Sequence, residues 1–191
     1  MTTATQTLRN EHDAILSMLD ATEEAARQLK GGEAVEPRVL DGLLEFFRLF
    51  ADRCHHGKEE DLLFPKLEEK GMARQMGPIG VMLHEHEQGR ALVRQMAEAA
   101  ADYQRKTSGA AGRWVEAAQG YTSLLREHIA KENNILFVMA ERMLTEVEQQ
   151  ELAAQFEVAE QEKMGAGTHE RLHGLMKELS TEIWKSQSAA R

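Results

Sequence analysis

The amino-acid sequence predicts an all-α protein, an antiparallel four-helix bundle with an additional C-terminal helical hairpin. Helix-forming residues, chiefly Ala, Leu, Glu, Gln, Arg and Met, dominate the chain, whereas Val, Ile and Thr are sparse. Only three prolines occur in 191 residues. The sequence has no segment of alternating apolar and polar residues bounded by hairpin dipeptides, so it predicts no strand. Apolar side chains instead recur at helical spacing, and four long helices with short connections favour an antiparallel bundle.

The first two predicted helices are delimited by glycine and proline. The first spans about residues 5–30 and ends at a pair of glycines. The second spans about residues 37–71 and begins at Pro37, a residue suited to the first helical turn. A further proline, Pro65, lies inside this second helix and predicts a kink or a break there.

The remaining predicted helices are also delimited by glycine, proline and capping residues. The third spans about residues 78–106 and the fourth about residues 110–143. The segment Thr145–Glu148 fits a capping box that begins a fifth helix. A Gly-Ala-Gly segment then separates it from a sixth helix over residues 168–184. We therefore assign residues 1–143 to the bundle and residues 144–191 to a C-terminal extension packed on it.

Charge and composition exclude several classes of protein. The formal net charge of −9 argues against a nucleic-acid-binding surface, which needs clustered excess Lys and Arg. No apolar run approaches the ~18 residues of a membrane span, and the first ten residues lack the apolar core of a signal peptide. The single cysteine, Cys54, excludes an internal disulfide framework and a Cys-rich zinc site. We expect a cytoplasmic protein that binds neither nucleic acid nor membrane, and the sequence does not identify a protein partner.

An internal repeat places histidines and carboxylates at matching positions. The segment Glu11–Asp13 in the first helix matches Glu85–Glu87 in the third, with an offset of 74 positions. The segment His55–Phe64 in the second helix matches His128–Phe137 in the fourth, with an offset of 73. Two helix pairs that carry the same residues predict a bundle with a pseudo-two-fold axis.

The spacing within this repeat is that of a metal site. A histidine and a carboxylate four residues apart lie on one helix face, and each of the second and fourth helices carries such a pair. A lone histidine from each remaining helix completes a set of six ligands: His12, His55, Glu59, His86, His128 and Glu132. Imidazole and carboxylate together suit Fe, Mn or Zn, and two bridging carboxylates imply two ions. Without metal, these carboxylates would be buried without compensation.

The six-residue pattern resembles the hemerythrin-like (HHE cation-binding) family over about residues 8–140. The family pattern is a His in the first helix, His-x-x-x-Glu in the second, a His in the third and His-x-x-x-Glu in the fourth. The segment from His55 to Pro65 is close to the form common in bacterial members. The resemblance implies an antiparallel four-helix bundle holding two Fe ions, a non-heme di-iron centre with a solvent-derived bridge, on the six residues named above.

The second helix offers a competing register, because His56 and Glu60 are also four residues apart. We prefer His55 and Glu59, since a lysine and a phenylalanine then also align with the second copy of the repeat. Adjacent residues are rotated by ~100° around an α-helix, so we expect only one pair to face inward. His56 and Glu60 are then residues of the helix flank, or partners that hold the ligands in place.

The third helix lacks a second imidazole beside His86. Oxygen-carrying hemerythrins resemble this chain but have His-x-x-x-His there, whereas Met82 and Arg90 occupy the positions four residues before and after His86. Each ion would then have two imidazoles and two shared carboxylates, which leaves room on both for a small ligand. A further ligand could come from another histidine: His56, His84 or the pair His169 and His173.

The sequence favours a di-iron protein that binds, senses or reduces a small oxidant, namely dioxygen, peroxide or nitric oxide. One alternative is iron handling or the repair of damaged iron centres. Repair proteins of this superfamily share the six ligands and typically carry an extra N-terminal segment with a cysteine, whereas about eleven residues precede His12 here. The other alternative is a helical interaction module without catalytic metal. No spacing in the chain indicates a Ser-His-Asp triad.

Overall fold

The all-α prediction is confirmed. A computed structural model describes residues 2–165 and 167–189, excluding the side chains of Met164, His169 and residues 185–189. The described residues form helices and no strand. The six helices are α1 (Ala4–Lys30), α2 (residues 37–69), α3 (Pro78–Gln104), α4 (residues 110–143), α5 (Glu146–Met164) and α6 (Thr168–Ala189).

The helix ends follow local chemistry that the sequence already indicates. Thr3 caps α1, because its hydroxyl accepts a hydrogen bond from the backbone N–H of Gln6 at 3.2 Å. The capping box at the start of α5 is present, with Thr145 and Glu148 each bonding the other's backbone N–H. Pro37 and Pro78 lie in the first turns of α2 and α3, where no intrahelical donor is needed.

Helix α2 continues through Pro65, so of the predicted kink or break the break is absent. Its α-helical parts are Pro37–Phe46 and Phe64–Glu69, and π-helical hydrogen bonding covers Phe47–His56 and Glu59–Leu63 between them. Helix α4 contains a corresponding π-turn at Glu132–Leu136, although no proline follows it. The π-turns therefore accompany the repeat rather than Pro65, and π-turns inside helices often occur at functional sites.

Two apolar clusters fill the bundle and leave a gap between them. The Trp114 cluster includes Ile15, Phe47, Ala51, Trp114, Leu125 and Leu179. The Phe64 cluster includes Leu8, Leu63, Phe64, Met82, Leu136 and Phe137. Each bundle helix runs from one cluster to the other, so the residues midway between them form a buried polar layer enclosed by hydrocarbon.

Helices α5 and α6 pack against α1 and α2. Leu152 and Phe156 of α5 join the Phe64 cluster, whereas Leu172 and Leu179 of α6 join the Trp114 cluster. A Cβ at Gly42 would lie 2.9 Å from Leu179 Cδ2, so glycine there permits the close approach of α2 and α6. The division of the chain at residue 143 stays a prediction. Across the described residues, no helix combines the length and the apolar character needed to cross a membrane.

Candidate metal centre

All six sequence-predicted ligands lie together in the polar layer between the two apolar clusters. Each is at most 1% exposed, which is unusual for ionisable side chains. They come from four helices, one from α1, two from α2, one from α3 and two from α4, as the internal repeat predicts. Their ligation of metal stays a prediction.

The four imidazoles form two pairs with their Nε2 atoms facing inward. His12 Nε2 lies 3.0 Å from His55 Nε2, and we name this pair the first half-site. His86 Nε2 lies 3.2 Å from His128 Nε2, and we name this pair the second half-site. The two half-sites are related by the sequence repeat, because each joins a lone histidine to the histidine of a His-x-x-x-Glu pair.

The two buried carboxylates span both half-sites. Glu132 places Oε2 3.1 Å from His12 Nε2 and Oε1 3.2 Å from His128 Nε2. Glu59 places Oε1 3.7 Å from His55 Nε2 and Oε2 3.5 Å from His86 Nε2. Each carboxylate thus offers one oxygen to each half-site, which is the arrangement that two bridged ions require.

The outer nitrogen of every imidazole has its own oxygen partner, 2.6 to 2.9 Å away. The Nδ1 partners are Asn133 for His12, Glu11 for His55, Glu60 for His86 and Glu85 for His128. A carboxylate or amide oxygen accepts from Nδ1–H, so the neutral ring keeps the Nε2 lone pair toward the interior. Two such lone pairs about 3 Å apart repel each other unless a cation or a proton lies between them.

The buried carboxylates fit a metal for a second reason. None of the four side-chain oxygens of Glu59 and Glu132 has a hydrogen-bond partner among the described residues. A buried carboxylate without compensation is strongly destabilising. Two groups of donor atoms could hold an ion, each with all atoms within 4.8 Å of one another: His12, His55, Glu59 and Glu132; and His56, Glu59, His86 and His128. The residues present therefore fit two metal ions.

The electrostatics of the layer also favour positive charge. Burial lowers the pKa of His128, but Glu132 and Glu85 outweigh it and raise that pKa to about 10. Burial likewise opposes charge on His12 and His86, and their carboxylate partners still raise both pKa values. Burial raises the pKa of Glu132, but the neighbouring imidazoles His128 and His12 hold it well below its usual range. Together these groups stabilise a positive charge in the buried polar layer.

A second layer of charges holds the Nδ1 partners, and it repeats the pseudo-symmetry. Lys58 donates to Glu11, and Lys131 donates to Glu85. Lys58 also donates to Glu160 of α5 at 2.6 Å, so the C-terminal helices reach this layer. Both glutamate–lysine pairs lie in the aligned segments of the repeat, and that alignment is the signal from which they could have been found.

His56 departs from the expectation that only one of two neighbouring histidines faces inward. Its side chain is buried beside His55, and its ring stacks on His86 with centroids 3.9 Å apart. Glu60 behaves as a partner instead, because it accepts from His86 Nδ1 and from Arg90. The π-helical hydrogen bonding of Phe47–His56 changes the angular step between residues, which is why α-helical geometry did not predict both positions.

The remaining histidines whose side chains are described do not belong to this buried layer. His84 and His173 are exposed, and the side chain of His169 lies outside the described side chains. Burial raises the pKa of the Cys54 thiol to about 12, which leaves it unreactive at neutral pH. Tyr121 packs edge-on against Phe47, with ring centroids 4.7 Å apart.

A cavity of about 170 Å³ borders His56, the residue whose ring stacks on His86 of the second half-site. The ring of His56 forms part of its wall, together with Gly89, Tyr121 and the ion pair of Asp52 with Arg90. Its volume is well below the ~300–1,000 Å³ of pockets for drug-sized ligands. It suits only small molecules.

Comparison with known proteins places these observations in a family. The model of the hemerythrin HHE cation-binding domain matches residues 3–140. The iron-sulfur cluster repair protein YtfE of Edwardsiella ictaluri is 35% identical over 120 residues, which are 61% of this chain and 53% of that protein. YtfE of Escherichia coli O81 is 30% identical over 134 residues, 68% of this chain and 60% of that protein.

A third relative, the uncharacterized protein Rv1995 of Mycobacterium tuberculosis, is 24% identical over 163 residues, 85% of this chain and 63% of that protein. The chain thus spans between 53% and 63% of the length of these relatives. No solved structure matches it. The match over residues 3–140, with the buried His and Glu layer inside that range, means that the chain belongs to the hemerythrin HHE cation-binding domain family.

Proposed function

We propose that this protein holds two non-heme iron ions and handles iron in the repair of damaged iron-sulfur clusters. The observation that carries the proposal is the pair of half-sites spanned by two carboxylates whose oxygens have no other hydrogen-bond partner among the described residues. The two YtfE relatives, named for iron-sulfur cluster repair, support this reading over oxidant binding, which the sequence alone favoured.

The proposed ligands divide between the two ions by half-site. His12 and His55 would hold one ion and His86 and His128 the other, with Glu59 and Glu132 shared. Bound iron supplies a redox-active Lewis acid with exchangeable positions. The chain's own contribution is to hold each Nε2 lone pair inward through the Nδ1 partners and to exclude water with the two apolar clusters.

A repair assay tests the proposal. The protein is purified without a His tag, loaded with Fe(II) without oxygen and mixed with an iron-sulfur enzyme inactivated by peroxide. We expect the loaded protein to restore activity beyond an equal amount of free Fe(II). Metal-free protein and a Glu59→Ala variant serve as controls and should not restore it. Equal recovery from loaded protein and free iron would refute the repair function.

Reaction with a small oxidant is a second candidate, and the cavity beside the second half-site favours it. At about 170 Å³ it is large enough for dioxygen, peroxide or nitric oxide. Optical spectra of the iron-loaded protein before and after exposure to each molecule separate the candidates. A change on exposure to nitric oxide or peroxide, without recovery of the iron-sulfur enzyme, would favour oxidant chemistry over repair.

A further inference from the structure

His56 is a buried imidazole without a hydrogen-bond partner. Its exposure is 4%, and neither ring nitrogen has such a partner among the described residues. Its Nδ1 lies 3.5 Å from Asp52 Oδ1, a longer distance than the 2.6 to 2.9 Å of the other four Nδ1 contacts. Leaving two ring nitrogens unsatisfied in the core costs their full desolvation, so a neighbouring group that used one of them would be stabilising.

The position of His56 places one of its ring nitrogens where it could bind a metal ion. One of its ring nitrogens belongs to a group with Glu59, His86 and His128 whose donor atoms all lie within 4.8 Å of one another. Ligand atoms about 2.1 Å from one ion lie at most roughly 4.2 Å apart, so modest closure of this group would seat a cation. The ring also stacks on His86 with an interplanar angle of 15°, which holds it at the second half-site.

The first half-site has no such residue. The position that matches His56 in the second copy of the repeat is Ile129, a buried member of the Trp114 cluster. The position that matches Asp52 is Leu125, which belongs to the same cluster. The imidazole of His56 and the carboxylate of Asp52 thus correspond to the hydrocarbon side chains of Ile129 and Leu125. The two copies of the repeat differ at the position from which a further ligand would come.

We propose that His56 is a third imidazole ligand of the ion at the second half-site, so that the two metal positions are unequal. The inference rests on the proposed metal centre and adds to it. The second half-site would bind a divalent first-row cation with three imidazoles, and the first half-site would use two.

Substitution of His56 tests the assignment. His56→Leu removes the ring nitrogens and keeps an apolar side chain of similar length, and His56→Gln is a second variant that retains polarity. His84→Leu, at an exposed histidine, is the matched control. We expect Fe(II) affinity at one of two positions to fall at least about 10-fold in both His56 variants and to stay unchanged in the control.

Two further readouts separate a ligand from a packed core residue. Iron Mössbauer spectra should show two different environments in the unaltered protein and two similar ones in His56→Leu. The metal-free His56→Leu protein should melt no lower than metal-free wild type, because an unsatisfied polar group has been removed, while its gain in melting temperature on iron loading shrinks.

The cavity that the His56 ring borders permits a rescue experiment. His56→Gly opens that cavity onto the second half-site, and added imidazole should restore the lost affinity. Unchanged affinity and unchanged spectra in both His56→Leu and His56→Gln would overturn the assignment while leaving the two-ion centre intact. A wild-type protein that binds one ion, with affinity that falls in the His56 variants, would refute the two-ion centre and support His56 as a ligand.

Discussion

The two half-sites have the same inner side chains and differ in the residues that surround them. Each has two Nε2 atoms facing inward, 3.0 Å apart in the first and 3.2 Å apart in the second, and each shares both carboxylates. The Nδ1 partner of His12 is the neutral amide of Asn133, whereas that of His86 is the carboxylate of Glu60. Glu60 occupies the position in the repeat that matches Asn133. The repeat thus preserves the inner atoms and allows the supporting residues to differ.

The surroundings differ in solvent access as well. On the first half-site, Lys58 is 1% exposed because Glu160 of α5 covers it. On the second half-site, the matching Lys131 is 35% exposed, and the His56 ring that stacks on His86 borders a cavity. The C-terminal helices therefore cover the lysine beside the first half-site and leave the matching lysine beside the second half-site partly exposed.

Removing a shared carboxylate should weaken iron binding at both half-sites at once. In Glu132→Ala each half-site loses one oxygen, so we expect iron content to fall from two ions per chain to fewer than one. Elemental analysis after anaerobic loading and desalting measures this. Glu127→Ala, which changes a neighbouring glutamate outside both donor groups, is the control. Retention of two ions in Glu132→Ala would mean that this carboxylate bridges nothing.

Metal removal should destabilise the whole protein, since the polar layer joins all four bundle helices. Ligand at 100 to 1,000 times its dissociation constant stabilises the native state by about 2.7–4.1 kcal/mol. For a chain of this size that corresponds to roughly 5–15 °C in melting temperature. Calorimetry of loaded and metal-free protein measures the difference. Identical melting temperatures would contradict a buried metal centre.

Loss of the glutamate partner should lower the free energy of unfolding more for buried Lys58 than for the more exposed Lys131. Glu11→Gln leaves the charge of buried Lys58 with Glu160 alone, and we expect a loss of about 1–3 kcal/mol in the free energy of unfolding. Glu85→Gln affects the more exposed Lys131, and we expect less than about 1 kcal/mol. Urea denaturation of the metal-free variants compares them. Equal losses would show that α5 does not alter the first half-site.

Making the two Nδ1 partners alike should have the smallest effect. Asn133→Asp supplies His12 with a carboxylate, as Glu60 supplies His86, and a carboxylate partner raises the basicity of a ligand imidazole. We expect iron affinity at the first half-site to rise by a few-fold, to about 10-fold at most. Competitive titration with a chelator measures this, with Asn134→Asp as the control. A decrease in affinity would indicate that charge repulsion outweighs the gain in basicity.

Local sequence determined most of the fold. Proline in the first turn, the capping box at Thr145 and the glycine pairs predict the ends of the helices within a few residues, because these effects act within one turn. Pro65 is the exception. Of the kink or break that it predicts, the break does not occur, and the preceding turn is a π-turn that the matching segment of α4 has without a proline.

The sequence by itself also determined which six residues meet, because a two-copy pattern at helical spacing puts them on facing surfaces. Only the tertiary structure decided their surroundings. The contact of Lys58 with Glu160 joins residues 102 positions apart, and the inward turn of His56 depends on π-helical hydrogen bonding. Helical periodicity determines the face of a residue on its own helix. Which helix covers that face, and how hydrogen bonding shifts along it, depends on how the whole chain packs.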